Sequence, residues 1–181
     1  MTDSIAAVRT VLRQLQEAYT ARDLTLLDET MNLFCPDPGS ELIGIGASAR
    51  GGDEWFQGPE QIRSILEGDW KFWGEVTFDV EGAKITAQGE VAWLSTTGTV
   101  TQTDHHKQAL IFYLDHMRTM LADQEMDLDM RLVEATHYGM RRLRERKKGL
   151  GYPWAFVFTA VLILKEDRWQ FHTIHWSMPV D

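Results

Sequence analysis

The sequence is poor in cysteine, in positive charge and in long apolar runs. Its 181 residues include one cysteine, Cys35, which excludes an internal disulfide and is typical of a reducing cytoplasm. No apolar run approaches the length that spans a bilayer, so we expect no contact with a membrane. The N-terminus lacks a basic region followed by an apolar core, so we expect no signal peptide. The formal net charge of −9 argues against nonspecific nucleic-acid binding, because the phosphate backbone would be repelled.

Aromatic side chains, by contrast, are abundant. Seven tryptophans and eight phenylalanines are more than a core of this size needs. They suit an aromatic-lined cavity, and an ordinary aromatic core is the alternative. The length suits one domain with a substantial core.

Apolar residues at helical spacing predict three helices in the first part of the chain. The first carries its apolar stripe from Ile5 to Tyr19, and Asp23 can cap a second, shorter helix. The third begins at Gly58-Pro59-Glu60, with proline at the first helical position, and buries a stripe that ends near Trp70.

The remaining segments alternate as strands do. Five are predicted at 41–46, 54–56, 76–80, 83–88 and 91–103, and a closing hairpin joins 154–164 to 169–177. The first hairpin strand is apolar at odd and even positions alike, which predicts that both of its faces are buried.

Between residues 104 and 151 the pattern is helical instead. Two helices are predicted, and the second begins at Asp127 and ends in the basic run 141–148. Its start is acidic, so the run is interpreted as a solvated helix end that opposes the macrodipole. The segment can act as a lid or pack on a partner subunit, and the sequence leaves both open.

This order of elements resembles the SnoaL-like group of the nuclear-transport-factor-2-like superfamily. The residues that carry the resemblance are 21–24, 53–62 and 167–177. It implies an α+β fold: a cone-shaped, strongly curved antiparallel sheet with N-terminal helices packed on its concave face. It further implies one domain, 1–181, with 104–151 as an insertion, a pocket inside the cone and a homodimer through the outer sheet face. Relatives with this fold include isomerases, dehydratases, cyclases and proteins that only bind or assemble.

His175 is the first catalytic candidate. Period two places one set of side chains on a common face of the last strand: Trp169, Phe171, Thr173, His175 and Ser177. The resemblance turns that face toward the pocket, where an imidazole can act as acid or base. A histidine that is hydrogen-bonded within the sheet is the alternative. His172 is expected on the opposite face, so the two histidines are not expected to bind a metal together.

Asp53 is the second catalytic candidate. Beside Glu54 and Trp55, a carboxylate in an aromatic pocket would have a raised pKa and could take a carbon-bound proton. A solvated pair at the pocket rim is the alternative. Tyr19 can donate a hydrogen bond to a ligand carbonyl or simply pack in the core.

The steroid isomerases of this superfamily provide a comparison. They carry a general-base aspartate on the first strand and a donor tyrosine on the first helix. The resemblance places glycine or isoleucine at the first of these positions and Leu15 near the second, so that mechanism is not expected. Other chemistry would have to use Asp53, Asp79 or His175.

The sequence therefore predicts a pocket for a small, mainly apolar molecule. Its predicted ligand-binding residues are Tyr19, Trp55, Trp70, Trp93 and His175. Noncatalytic ligand binding or assembly is the first hypothesis, and a cofactor-independent isomerase, dehydratase or polyketide-cyclase-like enzyme is the alternative. We expect no metal, because the adjacent side chains of Asp104-His105-His106 diverge and no second cluster has matching spacing. We expect no cofactor, and the glycines at 43–46 and 51–52 lack the spacing of a dinucleotide fingerprint.

Overall fold

The computed structural model describes residues 2–47, 50, 54–101 and 107–178. The chain divides into two compact units. Unit 1 comprises residues 1–100 and 153–181, and unit 2 comprises residues 101–152. None of the helices in the described part of the chain is long and apolar enough to cross a membrane.

Unit 1 contains the three predicted N-terminal helices. They are α1 (Thr2–Ala21), α2 (Leu27–Thr30, between 3₁₀ turns at Leu24–Leu26 and Met31–Leu33) and α3 (Gly58–Phe72). Asp23 caps the first 3₁₀ turn, since its side chain accepts a hydrogen bond from the Thr25 amide. α1 buries Leu12, Leu15 and Tyr19 against β3, β4 and β7 of the sheet described next.

The seven strands of unit 1 form one sheet. They are β1 (Glu41–Ile43), β2 (Trp55–Gln57), β3 (Glu75–Phe78), β4 (Lys84–Gln88), β5 (Val91–Thr101), β6 (Pro153–Lys165) and β7 (Arg168–Ser177). The strand order is β2-β1-β7-β6-β5-β3, and β4 pairs with β5. The sheet is curved and does not close. This confirms the predicted α+β class, with one difference: β1 runs parallel to β7, so the sheet is mixed.

One face of the sheet is buried within the chain. β6 alternates fully buried Phe156, Phe158 and Leu162 with exposed Val157 and Val161. The prediction that both faces of this strand are buried is therefore wrong within a single chain, because the helices cover only one side. We call the uncovered side the outer sheet face.

On the buried side, Gly98 of β5 permits close packing. A Cβ at this position would collide with the Phe156 ring and with the backbone carbonyl of Thr77. The absence of a side chain lets β3 and an aromatic ring of the core approach the same backbone.

Unit 2 is a pair of helices, α4 (Lys107–Ala122) and α5 (Leu128–Lys148). The Asp127 carboxylate accepts a hydrogen bond from the Met130 amide and caps α5, as the sequence predicts. Arg131, buried Ala135 and Gly139, spaced four residues apart, face α4. The Arg131 guanidinium donates to the Leu121 carbonyl, and a Cβ on Gly139 would touch Met117.

Candidate functional site

A tyrosine–aspartate pair joins α1 to α3 inside unit 1. The Tyr19 hydroxyl donates to Oδ2 of Asp69 across 2.9 Å. Tyr19 is 1% exposed, whereas Asp69 is half-buried. The pair therefore places a carboxylate where the aromatic interior of unit 1 meets its edge.

Aromatic rings surround the Tyr19 side of this pair. The Tyr19 ring meets Trp70, Phe78 and Trp176 edge-on, with centroids 6.4, 6.4 and 5.8 Å away. Half-buried Trp73 packs edge-on against Trp176 at 5.2 Å. We call Tyr19, Asp69, Trp70, Trp73, Phe78 and Trp176 the Tyr19 cluster.

Burial in this cluster raises the pKa of the Tyr19 phenol well above its ordinary value. The neighbouring Asp69 carboxylate adds to the rise, both through its negative charge and by accepting the phenol proton in a hydrogen bond. Tyr19 is thus a neutral hydrogen-bond donor throughout the physiological pH range.

Two tryptophans of the Tyr19 cluster bury hydrogen-bond donors that find no acceptor among the described residues. They are the indole N–H groups of Trp70 and Trp176. Both rings lie against Tyr19, so the two donors belong to the same aromatic surroundings. A buried donor without an acceptor costs about 1–3 kcal/mol.

A groove runs beside α1 and reaches the cluster at Trp70. Its volume is about 830 Å³, and it lies between α1, the 23–33 turns and the β6–β7 turn. Apolar side chains that line it include Val11, Ala18, Leu33, Trp70 and Trp169. Glu17 and Glu29 lie among its polar lining residues.

A β-bulge in β7 decides where His175 lies. Val161 pairs with Thr173 and Leu162 pairs with Phe171, so His172 is an extra residue in the ladder. The bulge shifts the alternation: Phe171 and Ile174 are both buried, and His175 is exposed. His175 therefore lies on the outer sheet face, and the predicted common face from Trp169 to Ser177 is wrong. An uninterrupted period of two cannot hold across an inserted residue.

Trp55 and Trp93 also lie on the outer sheet face. Trp55 pairs with Ile43, which pairs with His175, so the three share that face. Trp93 is 47% exposed and alternates with buried Ala92 and Leu94. An interior pocket cannot include these residues. Of the predicted ligand-binding residues, the structure brings together Tyr19 and Trp70.

Comparison with known proteins identifies the family. The family model described as SnoaL-like domain matches residues 8–125, more than half of the chain. The chain belongs to the SnoaL-like domain family. No curated protein matches the sequence.

Solved structures share the fold of this SnoaL-like chain. An NTF2-like protein of unknown function from Pseudomonas putida has a TM-score of 0.59 at 14% identity, covering 100% of this chain and 90% of its own. A protein from Streptomyces avermitilis, named as a proposed dehydratase of the NTF2-like family, has a TM-score of 0.61 at 12% identity, covering 99% of each chain. A proposed calcium/calmodulin-dependent protein kinase type II association domain from Thiobacillus denitrificans has 0.54 at 13% identity, covering 93% and 92%. At these identities the likeness concerns the NTF2-like cone fold alone.

Several predicted site residues take no part in the Tyr19 cluster of this SnoaL-like protein. Asp53 and Asp104-His105-His106 lie outside the described residues. Asp79 accepts a hydrogen bond from the Gly82 amide and closes the turn between β3 and β4. Leu15 is a core residue of α1. Within the described ranges, no three histidine, cysteine, aspartate or glutamate side chains are grouped so that they could hold a metal ion.

Asp69 is the functional candidate that the sequence prediction missed. It lies three residues after buried Leu66 and one before Trp70, so it falls at the edge of the apolar stripe of α3. An acidic residue at the edge of a buried helix face is a detectable signal. The sequence does not distinguish Asp69 from other acidic residues at the edges of helix faces, because its hydrogen bond to Tyr19 depends on the tertiary fold.

Proposed function

We propose that this SnoaL-like protein binds a small, mainly apolar molecule that carries a hydrogen-bond acceptor, in the Tyr19 cluster of unit 1. The observation that carries the proposal is the pair of buried indole N–H groups of Trp70 and Trp176. A carbonyl or ether oxygen on a ligand would satisfy such a donor while the surrounding rings pack on the apolar part.

The residues around these two N–H groups support the access of a ligand and its orientation. Trp70 lines the groove beside α1, so the cluster borders the groove at this residue. Half-buried Asp69 adds one polar group to an otherwise aromatic wall. A mostly apolar site with a few converging polar groups is typical of small-molecule binding.

The matched probes 2-acetylnaphthalene and 2-ethylnaphthalene test this proposal, because they share a ring system and differ in the acceptor oxygen. We expect isothermal titration calorimetry to show tighter binding of the acetyl compound, by about 2- to 12-fold for one hydrogen bond. Trp70→Phe and Trp176→Phe keep a ring and remove the donor, so each should reduce that preference.

Trp93→Phe on the outer sheet face is the matched control and should bind both probes as the wild type does. Equal affinity of both probes for the wild type would contradict the proposal. So would an acetyl preference that survives both cluster substitutions.

A second candidate function follows from the Tyr19–Asp69 hydrogen bond itself. A carboxylate held by a neutral phenol at the edge of an aromatic cluster can serve as a general base. The Asp69 carboxylate would take a proton from the carbon next to a ligand carbonyl. The C–H electron pair would form the enolate, whose oxygen would accept a hydrogen bond from an indole N–H. This chemistry belongs to cofactor-independent isomerases and dehydratases.

Proton exchange separates catalysis from binding. In D₂O, an enzyme of this kind should replace the α-protons of 2-tetralone by deuterium at least tenfold faster than buffer, as measured by proton NMR. Asp69→Asn should return the rate to the buffer level and still bind the probe. Exchange at the buffer rate with wild-type protein would leave binding as the function.

We also propose that the protein assembles as a homodimer through the outer sheet face. Along most of β5 and β6 the outward side chains are uncharged, and the exposed Lys165 ends β6. The uncharged ones are Val91, Trp93, Ser95, Thr97, Val157, Thr159, Val161 and Ile163. In a chain of net charge −9, a strip without carboxylates on two neighbouring strands lets two copies approach without local repulsion. Exposed valines and a tryptophan then supply apolar area to bury.

A further inference from the structure

Unit 2 exposes a dense set of large apolar side chains. Those on its two helices are Ile111, Leu114, Leu121, Leu128, Met130, Leu132, Val133 and Met140. Scattered apolar residues on a surface are normal. A concentration of this size within one helix pair marks an interaction surface.

The face of α5 opposite α4 carries the clearest stripe. Met130, Val133 and Met140 are 45%, 58% and 62% exposed. Their spacing of three and seven residues places them on one side of the helix, away from the Ala135 side that faces α4. We call these three residues the α5 stripe.

Charge along α5 is polarised. Asp127 and Asp129 lie at its start, where acids oppose the positive end of the macrodipole. Exposed Lys147 and Lys148 end it, after four arginines within 141–146 of the sequence. Asp129 and Lys147 are about five turns apart and therefore lie on the same side of the helix, flanking the α5 stripe.

We propose that α5 packs antiparallel on α5 of a second copy of this chain. A two-fold pair centred near residue 138 places Val133 and Met140 of one copy beside Met140 and Val133 of the other. It also brings Asp129 of each copy level with Lys147 of the other, so that acidic starts meet basic ends. Of the parallel and antiparallel orientations, only the antiparallel one brings the acidic start of one α5 level with the basic end of the other.

Other partners match the stripe less well. An anionic membrane surface or nucleic acid would attract the basic end but repel the acidic start, in a chain of net charge −9. The sequence leaves two roles open for this segment, a lid or packing on a partner subunit. The charge pattern of α5 favours packing on a partner subunit.

The molar mass of the full-length protein tests this contact. We expect Val133→Lys/Met140→Lys to lower the mass that light scattering measures for the wild type by at least half. The variant would keep any dimer that forms through the outer sheet face. The mass should therefore fall whether the wild type has one contact between copies or two. Ile111→Lys/Leu114→Lys on α4 is the control and should keep the wild-type mass. Circular dichroism confirms that the helices persist in each variant.

Charge exchange provides a test that does not depend on removing apolar surface. Asp129→Lys and Lys147→Glu should each weaken association several-fold at low salt, and the double variant should restore it. In a Cys35→Ala background, Met140→Cys should form a disulfide between copies under mild oxidation, whereas Ile111→Cys should not.

Two results would overturn the proposal. One is an unchanged mass for Val133→Lys/Met140→Lys with intact helicity. The other is a double charge variant that associates no better than the single variants.

Discussion

Tyr19 combines two requirements at one residue. Its ring belongs to the core, where it meets three other aromatic side chains, and its hydroxyl must therefore find an acceptor without water. Asp69 is that acceptor. The hydrogen bond allows the tyrosine to be buried. The same bond orients a carboxylate that we propose for binding or proton transfer.

Tyr19→Phe measures the contribution of this bond to stability. Because the bond is part-buried and its acceptor is charged, we expect the variant to lose about 1.5 kcal/mol of unfolding free energy at pH 7, measured with urea. Alkaline pH adds a second effect, since the pKa of Tyr19 is raised in the folded state. The contribution of Tyr19 to wild-type stability should be constant below the ordinary tyrosine pKa, about 10, and should be lost as the pH rises above it. Tyr19→Phe should lack that part of the decline.

Asp69→Asn separates the two causes of the raised pKa of Tyr19. The amide oxygen can still accept the hydrogen bond, but the negative charge is gone. Burial is the larger cause, so this variant should keep most of the alkaline decline. If Tyr19→Phe destabilises the protein by less than about 0.5 kcal/mol and leaves the alkaline limb unchanged, the bond does not have this role.

Periodicity places single residues correctly when their element is regular. Tyr19 and Trp70 lie on the apolar stripes of α1 and α3, and helical spacing predicts both as inward-facing. Trp93 shows the limit of the same method for strands. Side chains on alternate positions of a strand lie on opposite faces of the sheet, but the alternation does not show which face is buried. The position of the helices determines which face they cover.

At the scale of the element, β7 shows why alternation fails over a long strand. The bulge at His172 shifts the inward–outward alternation by one residue in the second half of the strand. Trp176 is therefore buried and His175 is exposed. Gln170 lies close to this break and donates hydrogen bonds from its side chain to the carbonyls of Asn32 and Phe34. These bonds join β7 to a segment far away in the chain, and no local pattern predicts such a contact.

The helices and strands themselves follow closely from local patterns. α1, α3, β4 and the closing hairpin lie within a few residues of the predicted bounds, because caps, turns and periodicity are local properties. The parallel pairing of β1 with β7 does not follow from such patterns. It joins the two ends of unit 1, and the choice of neighbour depends on the tertiary fold.

At the scale of the whole molecule, charge and sheet architecture together limit how copies can meet. The net charge of −9 keeps most surfaces of two copies apart at low salt. The uncharged strip on β5 and β6 and the α5 helix are the two surfaces that we propose as contacts between copies. They lie on different units, so substitutions can address them separately.

Val161→Lys tests the outer sheet face. Val161 is 38% exposed within one chain, so a lysine there is tolerated by the fold and disfavours only an apolar contact between copies. We expect the variant to remain folded by circular dichroism and to lose association through this face, with the molar mass lowered by at least half in light scattering. Ser64→Lys on the exposed side of α3 makes the same change in charge away from the sheet and should keep the wild-type mass.

Combining Val161→Lys with Val133→Lys/Met140→Lys determines whether the two surfaces act independently. Two independent two-fold contacts would join more than two copies in the wild type, leave dimers when either surface is altered and leave monomers when both are. If Val161→Lys leaves the mass unchanged while the α5 variant yields monomers, the outer sheet face is not an interface. The exposed valines of β6 would then be ordinary surface residues of a mixed sheet, and assembly would depend on unit 2 alone.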